Sequence, residues 1–262
     1  MKRYRGKVMW NQAIAQGIYE MAIECSDLDM SSFIPGQFIH IRIPRAAHLL
    51  LRRPISVNRF ERQGELLIIV YQVKGEGTNI LSKAQVNEEI DFLGPLGNGF
   101  FIPTKVHRVF IVGGGIGIAP LRYCLDFWGG RTFYSFLGFR KKEYAYMLDD
   151  FYRYSKDLWV TSEDGSIGEK GLVIQALERV IKEGVAPELI LACGPKPMLS
   201  ALQTIAQKYG IPCQISLEER MGCGIGGCLV CSCKVKKNGS WTYQRVCGDG
   251  PVFDSREVIL DE

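Results

Sequence analysis

Three cysteines occur within nine residues, at Cys223, Cys228 and Cys231, and Cys247 follows after fifteen intervening residues. The spacing C-x4-C-x2-C with a distant fourth cysteine is typical of a plant-type [2Fe–2S] cluster, which four thiolates hold. The glycines between Gly222 and Gly227 allow the tight curl that such a loop needs, because glycine tolerates positive φ. A four-cysteine zinc site is the alternative at this stage, since thiolates suit both metals.

A glycine-rich turn is the second candidate site, with Gly113, Gly114, Gly115 and Gly117 leading to Pro120. A short apolar run precedes this turn and a helix-like stretch follows it, so a helix N-terminus is open to a phosphate group. The spacing is not that of the G-x-G-x-x-G fingerprint. The turn therefore favours dinucleotide binding, by a protein of a different lineage from those with the G-x-G-x-x-G fingerprint. The alternative is a tight turn between a strand and a helix that binds no ligand.

Two segments in the first hundred residues carry groups that suit a flavin nucleotide. Arg53-Pro54-Ile55-Ser56 combines a guanidinium, which matches a pyrophosphate, with a hydroxyl that can hydrogen-bond a ring nitrogen. The segment from Gly75 to Thr78 offers backbone N–H groups and a hydroxyl to a phosphate. Each segment alone is a common loop sequence. Together, ahead of the glycine-rich turn and the cysteines, they predict a flavin site.

The remaining polar motifs favour ordinary structural roles. His40 falls on the polar face of a predicted strand, and His48 and His107 fall in loops, so we expect all three at the surface. Residues 163–165 are expected to form a turn at a strand end, and residues 140–142 a solvated basic loop. Four further cysteines lie in apolar runs and are expected to be buried, inert thiols: Cys25, Cys124, Cys193 and Cys213.

Hydrophobic periodicity predicts which elements position these groups. Residues 1–101 contain alternating or apolar runs at 19–25, 36–44 and 66–73, which predict an antiparallel β-barrel or sandwich. Across residues 102–213, strands and helices alternate, which predicts a parallel, doubly wound sheet. Residues 214–262 are rich in glycine and cysteine and too few to hold a core without their cluster. The predicted fold class is therefore a multidomain α+β protein of three domains.

Composition excludes several classes of protein. The chain has 262 residues, of which 47% are hydrophobic and 23% charged, and its net charge is +4. This charge is too small to indicate nucleic-acid binding, and no apolar run approaches the roughly 18 residues that a membrane helix needs. The N-terminal segment lacks the apolar core of a signal peptide. Nine cysteines are then better explained as metal ligands and buried thiols than as disulfides, which predicts a cytoplasmic protein.

The combination of motifs resembles the ferredoxin–NADP reductase superfamily and, within it, the electron-transfer subunits of NAD-dependent (type B) dihydroorotate dehydrogenases. The resemblance covers essentially the whole length. It rests on Arg53–Ser56, on the GGGxGxAP segment 113–120, on the CGPxPM segment 193–198 and on the four cysteines. The resemblance adds Val70, Tyr71, Gln72 and Gly77 to the FAD-binding residues and Gly194 and Pro195 to the NAD-binding residues.

The resemblance also implies cofactors, a partner and a reaction. It implies FAD, a [2Fe–2S] cluster held by Cys223, Cys228, Cys231 and Cys247, and NAD(H) as co-substrate. It further implies an FMN-containing catalytic subunit as partner, in a heterotetramer with two copies of each subunit, and a role in UMP biosynthesis. Cys193 and Glu219 are the candidate catalytic residues, which would assist the reaction where the nicotinamide contacts the flavin.

Three other functions remain open from sequence. A reductase of the same architecture, such as an NADPH–ferredoxin-type enzyme or a sulfide dehydrogenase subunit, shares every motif and differs in its partner. A hydrogenase-associated diaphorase subunit is the second alternative. A zinc-stabilised binding module without catalytic activity is the third. The basic run at 140–142 leaves open whether the nucleotide is NAD or NADP.

Overall fold

The N-terminal part of the chain forms a closed six-stranded β-barrel. The computed structural model describes residues 1–61, 65–237 and 239–260. The barrel strands are β1 (Lys2–Ala15), β2 (Ile18–Glu24), β3 (Phe38–Ile41), β4 (Arg53–Glu61), β5 (Leu66–Gln72) and β6 (Glu89–Leu96). They close in the order β1-β2-β5-β4-β3-β6 with antiparallel neighbours, and helix α1 (Glu76–Leu81) connects β5 to β6. The predicted antiparallel barrel is confirmed.

The sequence of strand β5 is a continuous apolar run rather than an alternating one, and the packing of its two faces explains this pattern. Leu67, Ile69 and Tyr71 belong to the cluster of side chains inside the barrel, whereas Leu66 and Ile68 pack in a smaller cluster with Trp10. Both faces of the strand are therefore covered, and neither face needs polar residues. Burial of each such side chain contributes about 1.5–3 kcal/mol to folding.

The middle of the chain forms a seven-stranded sheet flanked by helices, in the strand order β10-β9-β8-β7-β11-β12-β15. Its strands are β7 (Arg108–Gly114), β8 (Thr132–Phe139), β9 (Asp157–Ser162), β10 (Glu169–Lys170), β11 (Leu189–Cys193), β12 (Cys213–Ser216) and β15 (Val252–Asp254). The helices are α2 (Ile118–Phe127), α3 (Leu148–Tyr154), α4 (Val173–Lys182) and α5 (Lys196–Tyr209). All neighbouring strands are parallel except β12 and β15, which confirms the predicted parallel sheet.

The C-terminal segment is built onto that sheet rather than standing apart from it. It contains a hairpin of β13 (Ser232–Lys237) and β14 (Ser240–Arg245) and then supplies β15, which pairs antiparallel with β12. Cys231, Val246 and Cys247 pack in the same hydrophobic cluster as Leu202 of α5 and Ile215 of β12. The predicted limit between residues 213 and 214 falls inside β12, and the three domain limits stay a prediction.

The helices give no sign of a membrane span. Within the described ranges, none of the helices combines the length and the apolar character that crossing a bilayer requires.

Candidate functional site

A cleft lies where the barrel, the α/β sheet and the C-terminal segment meet. The barrel lines it with Arg53–Ser56, Val70–Gln72 and Thr78. These are eight of the ten residues predicted to bind FAD. Nine residues that sequence reasoning did not assign to a site also line the cleft: Phe38, Lys74, Ile116, Ala119, Ser216, Leu217, Glu218, Met221 and Pro251. Most of the lining is apolar, and Arg53 and Lys74 add positive charge on the barrel side, which fits a planar ring system carrying a pyrophosphate.

The two predicted FAD residues outside the cleft lining, Gly75 and Gly77, lie at the start of α1. Gly77 packs against the Arg53 guanidinium so closely that a β-carbon on it would lie 2.7 Å from Arg53 Nε. The Thr78 hydroxyl accepts hydrogen bonds from the N–H groups of Lys74, at 3.0 Å, and Gly75, at 3.2 Å. The Gly75 N–H, one of the groups expected to face a phosphate, is therefore already paired, and Arg53 is the group here best suited to an anion.

The glycine-rich turn between β7 and α2 packs directly against the turn between β11 and α5. A β-carbon on Gly117 would lie 2.5 Å from the carbonyl carbon of Cys193, and one on Gly114 would lie 2.6 Å from Met198 Sδ. The Tyr146 hydroxyl donates to the Gly115 carbonyl at 3.1 Å. The glycines are therefore required for the two turns to approach, in addition to any approach by a nucleotide.

The other residues predicted to bind the nucleotide fall on the same two turns. Pro120 lines the cleft. A β-carbon on Gly194 would lie 3.1 Å from the Gly114 nitrogen, and one on Gly113 would lie 2.7 Å from Ile118 Cγ1. Pro195 immediately precedes α5. The structure thus gathers the predicted nucleotide-binding residues at one edge of the sheet.

The two candidate catalytic residues both reach the cleft. Cys193 is 2% exposed, and burial raises the pKa of its thiol well above the usual value, so that the thiol is protonated at neutral pH. Glu219 forms an ion pair with Lys196 at 2.9 Å, which competes with any role in proton transfer. Glu218, its neighbour in sequence, also lines the cleft.

Four of the five cysteines of the C-terminal segment, the predicted cluster ligands, have backbone N–H groups directed at their sulfurs. Cys223 Sγ accepts from Gly227 at 3.2 Å, and Cys247 Sγ accepts from Gly226 at 3.1 Å. The Cys223 N–H approaches Cys228 Sγ at 3.4 Å, and the Cys247 N–H approaches Cys231 Sγ at 3.4 Å. Amide donors of this kind stabilise thiolates and tune the potential of an iron–sulfur cluster.

The cysteines differ in their access to solvent. Cys231 and Cys247 are buried, Cys223 is half-buried and Cys228 is exposed. Burial raises the pKa of Cys247 to about 12. At Cys223 partial burial acts in the same direction, but backbone N–H groups outweigh it and lower the pKa to about 6. One edge of the site therefore opens to the surface and the other is in the protein core.

The sulfur arrangement also bears on the zinc alternative. The contacts join Cys223 to Cys228 and Cys247 to Cys231, in each case through the backbone N–H of the first residue and the Sγ of the second. Two pairs of thiolates suit the two irons of a [2Fe–2S] cluster better than they suit a single tetrahedral ion.

Comparison with known proteins agrees with this geometry. Residues 218–259 match the iron–sulfur cluster binding domain of dihydroorotate dehydrogenase B, and residues 13–101 match the oxidoreductase FAD-binding domain. The chain is 43% identical over 258 residues to the dihydroorotate dehydrogenase B (NAD(+)) electron transfer subunit of Caldanaerobacter subterraneus, covering 98% of this chain and 99% of the relative. The subunit of the same name from Enterococcus faecalis is 39% identical over 259 residues, covering 97% of each chain.

The chain belongs to the family of dihydroorotate dehydrogenase B electron transfer subunits. Among solved structures, a chain of an NADH-dependent reduced ferredoxin-NADP oxidoreductase superposes with a TM-score of 0.85 at 31% identity, over 98% of this chain and 90% of that one. Phthalate dioxygenase reductase, at 16% identity and a TM-score of 0.65, covers 93% of this chain and 76% of that one and shares the fold. The predicted FAD and [2Fe–2S] cofactors are confirmed by the two domain matches, and zinc is excluded as the resident metal.

Other predicted side chains are placed as follows. Cys25, Cys124, Cys193 and Cys213 are buried, as predicted. Residues 163–165 form a turn in which Asp164 Oδ1 accepts from the Ser166 N–H at 3.0 Å, which also agrees with the prediction.

The prediction for His40 is wrong. His48 and His107 are exposed as expected, but His40 is only 1% exposed. The polar face of β3 is covered by the cluster loop, the segment from Met221 to Cys231, because Gly224 lies against the His40 ring.

Proposed function

We propose that this chain carries electrons from the FMN of a dihydroorotate dehydrogenase catalytic subunit to NAD+, in the synthesis of pyrimidines and hence of UMP. Dihydroorotate loses two electrons and two protons to give orotate, NAD+ takes up two electrons and one proton, and one proton is released. The full-length similarity to subunits named for this activity, at 43% identity, is the observation that carries the proposal.

The arrangement of the sites supports an order of transfer. A [2Fe–2S] cluster passes single electrons, nicotinamide takes a hydride and a flavin does both, so the flavin belongs between the other two. Met221 lines the cleft and is separated from the ligand Cys223 by one residue. The cleft and the cluster loop are therefore adjacent, and electrons need to cross little intervening protein.

The protein's own contribution is to bind, orient and exclude water. Arg53 places its positively charged guanidinium at the cleft. The closely packed turns at Gly114 and Gly194 present the edge of the sheet to a nucleotide. Buried Cys193 contributes a neutral thiol to the cleft wall. No proton relay through Cys193 or Glu219 is needed, because the cofactors carry the chemistry.

The exposed edge of the cluster loop is proposed as the surface that meets the FMN subunit. Five large apolar side chains surround it, each more than half exposed: Ile225, Leu229, Val230, Trp241 and Tyr243. Apolar groups clustered in this way mark an interaction surface. Lys236 and Lys237 are exposed beside them, which favours a partner with an acidic margin. We further propose a heterotetramer of two subunits of each kind, located in the cytoplasm.

One observation favours a second candidate. The ferredoxin-linked oxidoreductase chain is 31% identical over 98% of this chain, and the basic run at 140–142 is exposed at the end of β8. A ferredoxin- or NADP-linked reductase subunit would share both features. It would differ in the donor that it accepts.

The experiment that tests the proposal is reconstitution with an FMN-containing dihydroorotate dehydrogenase catalytic subunit. We expect the mixture to reduce NAD+ when dihydroorotate is added and to elute as a stable complex whose mass fits two copies of each subunit. Reduced ferredoxin and NADP+ serve as the competing donor and acceptor. Failure to couple dihydroorotate to NAD+, with ready transfer from reduced ferredoxin, would favour the second candidate.

A further inference from the structure

His40 occupies an unusual position in the barrel. It lies on β3, is 1% exposed, and neither ring nitrogen has a hydrogen-bond partner among the described residues. A buried polar group left without a partner costs about 1–3 kcal/mol, so such a group calls for a functional explanation. None of the motifs that identify the flavin or nucleotide sites includes His40.

The ring of His40 faces the loop that carries the cluster cysteines. A β-carbon on Gly224 would lie 2.5 Å from His40 Nδ1, so the loop backbone rests on the imidazole. Gly224 also has a φ of 71°, a conformation that favours glycine. The loop therefore has two independent reasons for glycine at this position, and one of them is His40.

The carbonyls of Arg52 and Cys223 face the ring without meeting the geometry of a hydrogen bond. An imidazole has at least one N–H donor. His40 therefore offers the cluster loop a donor near Cys223 as well as a packing surface at Gly224.

The same strand reaches the flavin cleft. Phe38, two residues before His40 on β3, lines the cleft and belongs to the hydrophobic cluster that contains Cys231 and Cys247. Residues two apart on a strand project to the same face. One rigid strand therefore touches the flavin cleft at Phe38 and the cluster loop at His40.

We propose that His40 is a positioning residue that fastens the cluster loop to strand β3 and so fixes the separation of the cluster from the flavin. The proposal rests on the proposed function only in assuming that electrons pass between these two cofactors. His40 touches the loop rather than the reacting atoms, so its effect is on the rate of internal transfer. Flavin binding and reduction of the flavin by NADH are separate from this role.

The test compares His40→Leu with His40→Asn. Leucine fills the space without a donor, whereas the asparagine amide places polar atoms near the position of Nδ1. His107→Leu, at an exposed histidine that immediately precedes β7, is the matched control. After anaerobic mixing with NADH, stopped-flow absorption follows flavin reduction and freeze-quench EPR follows cluster reduction.

We expect His40→Leu to slow cluster reduction by about tenfold to a hundredfold, the usual effect of losing a group that orients metal ligands. Flavin reduction stays at the wild-type rate, and His40→Asn recovers most of the loss. Equal cluster-reduction rates in His40→Leu and wild type would overturn the proposal. Equal impairment of both variants would also overturn it, because it would indicate a packing role alone.

Hydrogen exchange gives a readout that does not depend on electron flow. We expect backbone amides of residues 221–228 to exchange faster in His40→Leu than in wild type or His107→Leu, and unchanged exchange would contradict the anchoring role. Because this measurement needs no donor or partner, its result stands even if the reconstitution with dihydroorotate fails. If His40 anchors the loop but the protein does not couple dihydroorotate oxidation to NAD+ reduction, this inference stands and the proposed function is wrong.

Discussion

Arg53 packs at the cleft against Gly77, which has no side chain. Its guanidinium donates to the Leu51 carbonyl and lies against the Cα of Gly77, where no β-carbon can be accommodated without movement. The atoms that would have to move are at the free end of a flexible side chain rather than in the backbone. A larger residue at position 77 should therefore displace the arginine at little cost in folding stability.

Gly77→Ala should weaken FAD binding by about tenfold to a hundredfold, the equivalent of losing one charge-assisted hydrogen bond. The melting temperature of the flavin-free protein should hardly change. Gly129→Ala is the control, because a β-carbon there meets nothing within 4 Å. Titration of apoprotein with FAD measures the affinity, and wild-type affinity in Gly77→Ala would contradict the role given to Arg53.

The basic run after β8 gives a second prediction at single-residue scale. Arg140 is exposed, so Arg140→Ala should change the KM for NADH by less than about fivefold, the range of one screened surface charge. Steady-state assays with NADH and NADPH measure this. A selective, large loss of NADPH use would show that the site is built for the 2′-phosphate.

His40 shows where residue patterns are insufficient. The alternation of Ile39, Ile41 and Ile43 with His40 and Arg42 correctly predicts a strand, and the usual inference is that the face with His40 meets water. Here a loop more than 180 positions later covers it, because Gly224 lies on the ring. Local periodicity contains no information about a partner so distant in sequence.

At the scale of elements, the approach of two turns organises the nucleotide edge of the sheet. The contact at Gly117 is with backbone atoms of Cys193 and Gly194, which cannot rotate away as a side chain can. Overpacking at such a contact costs about 1–3 kcal/mol. The glycine motif is therefore as much a packing requirement as a binding one.

Gly117→Ala should lower the free energy of unfolding by about 1–3 kcal/mol and raise the KM for NADH, while FAD content remains close to wild type. Chemical denaturation and NADH–ferricyanide assays check the two effects, with Gly129→Ala again as the control. An unchanged KM would mean that the turns do not form the nucleotide site.

The elements themselves were largely predictable, because each has a strong periodicity. The observed β11 (Leu189–Cys193) matches its apolar run, and α4 and α5 match their apolar stripes. β15 was not predictable, since a three-residue strand has too little pattern and gains its stability by pairing with β12. The predicted boundary at residue 213 falls within the sheet because β12 begins there and pairs in parallel with β11.

At the scale of the whole molecule, the cysteines that would hold the cluster lie near both the cleft and an exposed apolar surface. Replacing Trp241 and Tyr243 together by serine should weaken binding of the FMN subunit by about 30-fold or more, since large aromatics at interface centres dominate affinity. Iron and flavin contents should not change. Isothermal titration calorimetry measures the affinity, and Tyr152→Ser, at an exposed tyrosine of α3, is the control. Wild-type affinity in the double variant would place the interface elsewhere.

The most direct test of the relay is dihydroorotate-dependent NAD+ reduction by Cys223→Ser in complex with the FMN subunit. Cys223 is one of the four predicted cluster ligands, whereas it lines neither the cleft nor the two glycine-containing turns. We predict that this variant loses the coupled reaction and the EPR signal of the cluster but retains FAD and NADH–ferricyanide activity. Coupled NAD+ reduction at the wild-type rate in a variant without its cluster would contradict the account.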